Sequence, residues 1–134
     1  MNIEDLDAVD ADVIRVFLSL YGADVLACPH CHAIVYDVRF IFQFLAFQGR
    51  VQNLVVPTSY YRCPVYNASV GGAKNSRHLE GRAMDFVIPG VAVDEVVRAA
   101  RFSGMTTILY YPLDKHWHLD NIERQIYLNL NFHK

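Results

Sequence analysis

The chain is predicted to fold as an α+β domain, with a small central antiparallel sheet and helices packed on it. Three observations carry this. Apolar residues recur at helical spacing in separated stretches around 9–20, 37–47 and 93–100. Apolar and polar residues alternate near 83–88 and again over 116–120, the period of a strand. Glycine and proline fall between these stretches, at Gly22, Gly49, Gly71-Gly72, Pro89-Gly90 and Gly104.

In chain order, Asp10 or Asp12 is expected to cap a first helix that runs to about Leu20, with Val9, Val13, Val16, Phe17 and Leu20 as its apolar stripe. A second helix over 37–47, ended by Gly49, has almost no polar face, because Val38, Phe40, Ile41, Phe42, Phe44, Leu45 and Phe47 surround it. Such a helix is either enclosed or touches something outside the monomer, so self-association through 37–47 is left open. Val51 to Thr58 reads as a strand leading to Arg62, and Pro64 to Val70 as a short helical turn broken by Gly71-Gly72. A flexible loop then delivers His78. Pro89-Gly90 turns the chain into a helix through Val93, Val96, Val97 and Ala100 that stops at Gly104. Thr106 to Tyr111 and His116 to Asp120 read as a hairpin, and Ile126 to Phe132 as a further strand or a tail on the sheet. His133 is read as part of a solvated tail.

A length of 134 residues suits one domain with one core, read as a helical part over 1–50 and a part carrying the polar motifs over 51–134. With 53% hydrophobic and 19% charged residues the chain is globular, not disordered. A formal net charge of −2 offers no long-range attraction to nucleic acid or anionic lipid. No run approaches the roughly 18 apolar residues of a membrane span, and Met1 to Ala11 is acidic where an export signal would be basic and then apolar. The expectation is cytoplasmic synthesis, with any extracellular substrate reached by release, as for a phage product freed at lysis.

Three cysteines, an odd number, argue against a disulfide framework. Cys28-Pro29-His30-Cys31-His32 has the spacing of half a structural zinc site, to which His30 or His32 could add a ligand. Because Cys63 is isolated along the sequence, the expectation is two reduced thiols in a loop before a helix.

The polar residues that point to chemistry lie in two motifs. His78 and Asp85, seven residues apart with Gly81 between them, can sit on a loop and on the strand that follows it. In His116-x-His118-x-Asp120 strict alternation places all three side chains on one strand face, with Trp117 and Leu119 turned to the core. Imidazole nitrogens and a carboxylate at the edge of an apolar core are the donors of a three-ligand zinc centre that keeps one position open. In such a row one residue can ligate, a neighbour can act as acid or base, and Asp120 can orient the ligand's second nitrogen.

Taken together, Thr58-Ser59-Tyr60-Tyr61-Arg62-Cys63-Pro64, Tyr66-Asn67, Gly71-Gly72, Ser76-x-His78-x-x-Gly81-x-Ala83-x-Asp85 and His116-x-His118-x-Asp120 resemble the zinc D-alanyl-D-alanine carboxypeptidase family, whose fold is shared with hedgehog signalling domains. The resemblance spans roughly Val55 to Asp120. It implies a hedgehog/DD-peptidase-like fold, His78, Asp85 and His118 as zinc ligands, and Arg62 at the substrate's carboxylate or carbonyl oxygen. It further implies catalytic help from His116, and substrate contacts from Ser76 and Tyr111. The implied activity is hydrolysis of a peptide bond in peptidoglycan stem peptides, of D-Ala-D-Ala carboxypeptidase or L-Ala-D-Glu endopeptidase type. Two positions depart from the pattern. Lys115 stands where many relatives carry Asp or Glu, so His116 is the first choice of base and Asp114 the reserve, and Tyr60 stands where glycine is common. The alternative is a non-catalytic zinc-containing module that binds the cell wall or serves as a structural subunit.

Overall fold

The computed structural model describes residues 8–122 and the backbone of 126–129. The elements are α1 (Ala8–Tyr21), α2 (Val38–Val51), β1 (Val56–Ser59), α3 (Pro64–Ser69), β2 (Ala83–Val87), α4 (Val93–Phe102), β3 (Thr107–Tyr111), β4 (His116–Asp120) and β5 (Ile126–Asn129). Short 3-10 turns occupy Ala23–Val25 and Arg77–Glu80. The five strands form one sheet in the order β1-β2-β4-β3-β5, with β1 to β4 antiparallel to their neighbours and β5 parallel to β3. This is the α+β architecture expected, extended by one parallel edge strand. Residues 130–132 of the predicted last strand, and His133, lie outside the described residues.

Period-two alternation gives the sheet two unlike faces. Met84, Phe86, Ile108, Trp117 and Leu119 are buried on one face, in a cluster with Phe40, Ile41, Phe44 and Phe47 of α2, Val96, Ala99 and Ala100 of α4, and Ile14 and Phe17 of α1. The Phe44 ring centroid lies 5.9 Å from Tyr21, 5.7 Å from Phe47 and 5.7 Å from Phe86, so one side chain joins both long helices to β2. The other face carries the polar motifs. Pro57 is tolerated because β1 is an edge strand, where a missing N–H need not break a ladder, and the pairing with β2 is irregular between Pro57 and Ser59.

Several expected elements differ in detail. On α1 the buried face is Ala11, Ile14 and Phe17, while Val9, Val16 and Leu20 are exposed. Both stripes have helical spacing; the one that brings Phe17 within 4.9 Å of Tyr21, against α2, is the one buried. Asp10 lies in the first turn of α1, not at its cap. Asp37 does cap α2, its Oδ1 accepting the Phe40 N–H at 2.9 Å. That helix runs through Gly49 and ends at Gln52, which adopts the left-handed region at φ 51°. Glycine permits a stop there without forcing one. Val51 therefore belongs to α2, and β1 begins only at Val56. The aromatic residues of α2 are mostly absorbed by the chain's own core, and Phe42, 59% exposed, is the large one left outside. Cys63, isolated in sequence, lies beside Cys28, its N–H donating to the Cys28 Sγ at 3.4 Å. Among the described residues no helix is long and apolar enough to cross a membrane.

Replacing the fully buried Phe44 by alanine is expected to cost about 3–5 kcal/mol of folding free energy, the usual penalty for emptying a core aromatic site. Urea unfolding checks this, and a loss below about 1 kcal/mol, the centre of the general mutational distribution, would show that Phe44 does not join the helices to the sheet.

Candidate active site

The polar face is assembled by strand register and two tight turns. Asp85 on β2 stands directly across from His118 on β4, and Tyr111 on β3 across from His116. His78 arrives from the Arg77–Glu80 turn, which Ser76 caps by accepting the His78 N–H on its Oγ at 3.2 Å. Gly81 closes that turn at φ 68°, and a Cβ there would stand 2.5 Å from the Val35 carbonyl oxygen and 2.9 Å from the Tyr60 hydroxyl. Glycine is thus required twice over at this position, by conformation and by space. Tyr60 fixes the turn from beneath: its hydroxyl donates to the Gly81 carbonyl at 2.5 Å and accepts the Asp37 N–H at 3.3 Å.

Hydrogen bonds at the rim decide the protonation at the centre. The Tyr60 carbonyl can only accept, so the His78 Nδ1 in contact with it carries the proton and donates. Burial lowers the His78 pKa despite Asp85 nearby, so Nε2 presents a lone pair, and it faces Asp85 Oδ1 at 3.1 Å. Two acceptors at that distance repel unless a cation lies between them. His118 donates from Nε2 to Asp120 Oδ2 at 2.7 Å and from Nδ1 to Asp85 Oδ1 at 2.8 Å. Burial alone would lower its pKa, but the two carboxylates push it up to about 9. Burial would likewise raise Asp85, yet in the metal-free site the positive charge and the Nδ1 hydrogen bond of His118 hold it well below the usual carboxylate range.

This donor set fits a zinc ion. The ligand atoms of His78, Asp85 and His118 all lie within 4.8 Å of one another. Ligands on a tetrahedral zinc at 2.0–2.1 Å stand about 3.3 Å apart, close to the observed 3.1 and 2.8 Å. The ligating atoms would be His78 Nε2, an Asp85 oxygen and His118 Nδ1, with Tyr60 and Asp120 fixing the two rings through their outer nitrogens. An ion there relieves the His78–Asp85 repulsion and replaces the inner proton of His118.

A cleft of about 170 Å³ opens on this set, lined by Arg62, Val70, Gly71, Gly72, Tyr111 and His116 besides His78, Asp85 and His118. Arg62 is held on three sides: Nε donates to Ser59 Oγ at 3.0 Å, and the two terminal nitrogens to Asn67 Oδ1 at 3.3 Å and Asp85 Oδ2 at 3.0 Å. A guanidinium has five N–H donors, so a fork held this way still reaches toward a ligand's oxygen. The His116 ring stacks on Tyr111 at 5.4 Å, and its Nε2 is 3.7 Å from Asp85 Oδ2. Burial raises the Tyr111 pKa, so its hydroxyl stays protonated.

The structure therefore gathers His78, Asp85, His118, Arg62, His116 and Tyr111 around one cleft, with Asp120 behind His118. Ser76 is the exception. Expected at the substrate, it caps the His78 turn instead and does not line the cleft. Asp114 and Lys115 are exposed in the turn between β3 and β4 and do not line the cleft, with Lys115 at φ 56°. Three contributors had no assigned role in the sequence reading. Tyr60 orients His78, Asn67 is buried and bonds both Arg62 and the Ala73 carbonyl, and Gly72 leaves room for Asn67, since a Cβ there would overlap the Asn67 side-chain oxygen. Of these only Tyr60 carried a signal in the sequence, as a departure standing where glycine is common.

Buried imidazole and carboxylate groups that could hold a metal ion, two on the sheet and one on a turn, open to a small cleft with an arginine fork, the donor set of a metal-dependent hydrolase. The sequence model described as peptidase M15 matches residues 30–120, about two thirds of the chain, and the chain belongs to that family of zinc metallopeptidases. No curated protein matches the chain.

Because the His118 pKa of about 9 lies above neutrality, the metal-free site holds an extra proton at pH 7 that zinc must displace. Calorimetric zinc titrations in buffers of different ionisation enthalpy are expected to show release of about one proton per ion at this site, with affinity falling as pH drops. Asp120→Ala should weaken zinc binding by about 10–100-fold, the usual effect of losing an outer partner of a ligating histidine; unchanged affinity would remove Asp120 from that role.

Proposed function

We propose that the protein hydrolyses a peptide bond in peptidoglycan stem peptides, with the D-Ala-D-Ala carboxypeptidase type first and the L-Ala-D-Glu endopeptidase type second. The observation that carries this reading is the Arg62 fork, fixed by Ser59, Asn67 and Asp85 at the edge of a small cleft that also opens on the metal set. The cleft beside the fork is small, about 170 Å³. A free carboxylate beside the scissile bond is what a guanidinium fork recognises best.

His78, Asp85 and His118 would hold the zinc, which supplies a Lewis acid that polarises the scissile carbonyl and makes a water nucleophilic at neutral pH. Arg62 binds the terminal carboxylate or steadies the developing oxyanion. The Tyr111 hydroxyl, kept protonated by burial, is a second donor in the cleft. His116 takes the proton of the attacking water as the carbon–oxygen bond forms, and returns it to the amine nitrogen as the carbon–nitrogen bond breaks. Its place in the cleft, with Asp114 outside it, supports His116 as the base and supports catalysis over a purely structural or wall-binding module.

The test is incubation with a stem pentapeptide ending in D-Ala-D-Ala, followed by mass spectrometry with and without chelator. Chelator-sensitive loss of one alanine is expected, whereas cleavage next to D-Glu would assign the endopeptidase type. Zinc-loaded protein that leaves every stem peptide intact would overturn the proposal. His116→Ala should keep its zinc and lose about 10²–10⁴-fold in kcat, the range for a general acid–base group.

A further inference from the structure

A second cluster of metal-binding side chains lies away from the cleft, and the proposed peptidase chemistry makes no use of it. The chain between α1 and α2 forms a tight knuckle: Ala27 and Ile34 pair as an antiparallel bridge, Cys28 N–H donates to the Ala33 carbonyl at 2.8 Å, and His32 N–H to the Cys28 carbonyl at 2.9 Å. His32 takes the left-handed region at φ 64°, which lets the chain reverse within five residues. The reversal brings Cys28 and Cys31 to the same place. Cys63, thirty-five residues beyond Cys28, enters from the start of α3, and the three sulfurs lie within 4.8 Å of one another. His30 Nδ1 stands 3.7 Å from the Cys63 Sγ.

We infer that Cys28, Cys31, Cys63 and His30 form a second, structural zinc site that clips the loop between α1 and α2 to the segment carrying Arg62. Three thiolates and one imidazole are a known tetrahedral zinc set with no position left for water, unlike the His/Asp/His centre. On a tetrahedral ion with Zn–S about 2.3 Å and Zn–N about 2.0–2.1 Å, sulfurs stand about 3.8 Å apart and a nitrogen about 3.6 Å from each sulfur. The three sulfurs are already gathered, and the His30–Cys63 separation meets that figure; His30 lies outside the 4.8 Å group of the three sulfurs, so its ring must swing in to complete the set.

Backbone groups in the cluster are arranged for thiolates. The Cys28 sulfur accepts the N–H of Cys63 at 3.4 Å, and the Cys63 sulfur accepts the N–H of Tyr66 at 3.4 Å. Sulfurs crowded this way cannot all ionise unless a cation joins them. A disulfide would use two of the three and leave the third and the imidazole without a task. The Arg62 N–H bonds the His78 carbonyl at 3.2 Å, so the strip that Cys63 anchors also touches the first centre.

The experiment is metal analysis and cobalt(II) spectroscopy of the whole chain. Two equivalents of zinc are expected in the native protein, one in His78→Ala and one in Cys31→Ser, chosen because Cys31 is exposed and its replacement disturbs no packing. Cobalt-loaded native protein and His78→Ala should show the intense near-ultraviolet sulfur-to-cobalt charge-transfer band, and Cys31→Ser should lose most of it. Blocking the thiols with a mercurial should release one equivalent and leave the other bound. A single equivalent that vanishes in His78→Ala would overturn the inference. So would a cobalt spectrum without the sulfur band, or a Cys28–Cys31 disulfide, seen as a mass two hydrogens lower, in protein purified without oxidant.

Discussion

The fold is constrained by one buried carboxylate. Asp85 sits on the interior strand β2, nearly shielded from solvent, and contacts Arg62, His78, His116 and His118. An ionised carboxylate in such a place is untenable alone and must be met by cations, hydrogen bonds or a metal. Its partners come from three different pieces of chain: Arg62 from the link after β1, His78 from a 3-10 turn, and His116 and His118 from β4. Satisfying Asp85 therefore fixes the relative position of four segments, and the same contacts that make the charge tolerable hold a substrate-sized cleft open beside it.

Much of this was legible in the sequence because it depends on short-range periodicity. The row His116-x-His118-x-Asp120 could only present its polar side chains together if it was a strand, and β4 does so with Trp117 and Leu119 buried behind it. The β3–β4 hairpin, α3 and α4 follow from local turn and helix signals in the same way. What was not legible depends on which of two equivalent patterns finds a partner. The stripes Val9/Val16/Leu20 and Ala11/Ile14/Phe17 on α1 both have helical spacing, and only the position of α2 decides between them. The aromatic ring of side chains around α2 was equally ambiguous, since enclosure by the sheet and α4 is a property of the whole fold.

At the site, the ligand types and their spacing were visible, but their supports were not. Ser76 lies in a motif with His78, which suggested a role at the substrate; its hydroxyl is instead committed to the His78 N–H two residues on, a local capping bond that any serine before a turn can make. Tyr60 and Asn67 act through contacts eighteen and five residues away in sequence, a backbone carbonyl in one case and a side-chain oxygen in the other. Such roles leave no periodic trace. Cys63 escaped for the same reason. Two cysteines three apart announce themselves, whereas the third is brought to them only when β1 and α3 are in place.

The two faces of the sheet divide the work of the molecule. Interlocked aromatic and aliphatic side chains on one face supply the favourable burial, while the other carries charged groups whose desolvation opposes folding. In a chain of 134 residues a single core must offset that opposition, so the polar face needs connections that do not depend on apolar area. Hydrogen-bonded carbonyls and hydroxyls at its rim meet part of that need: Tyr60 to Gly81, Asn67 to Ala73 and Ser76 to His78 each pin a loop whose tip carries a functional group. The glycines at 72 and 81 belong to the same arrangement, since each yields its side-chain space to one of these polar groups. Precision at the cleft thus comes from close backbone approach and polar bonds on one side of the sheet, and stability from packing on the other.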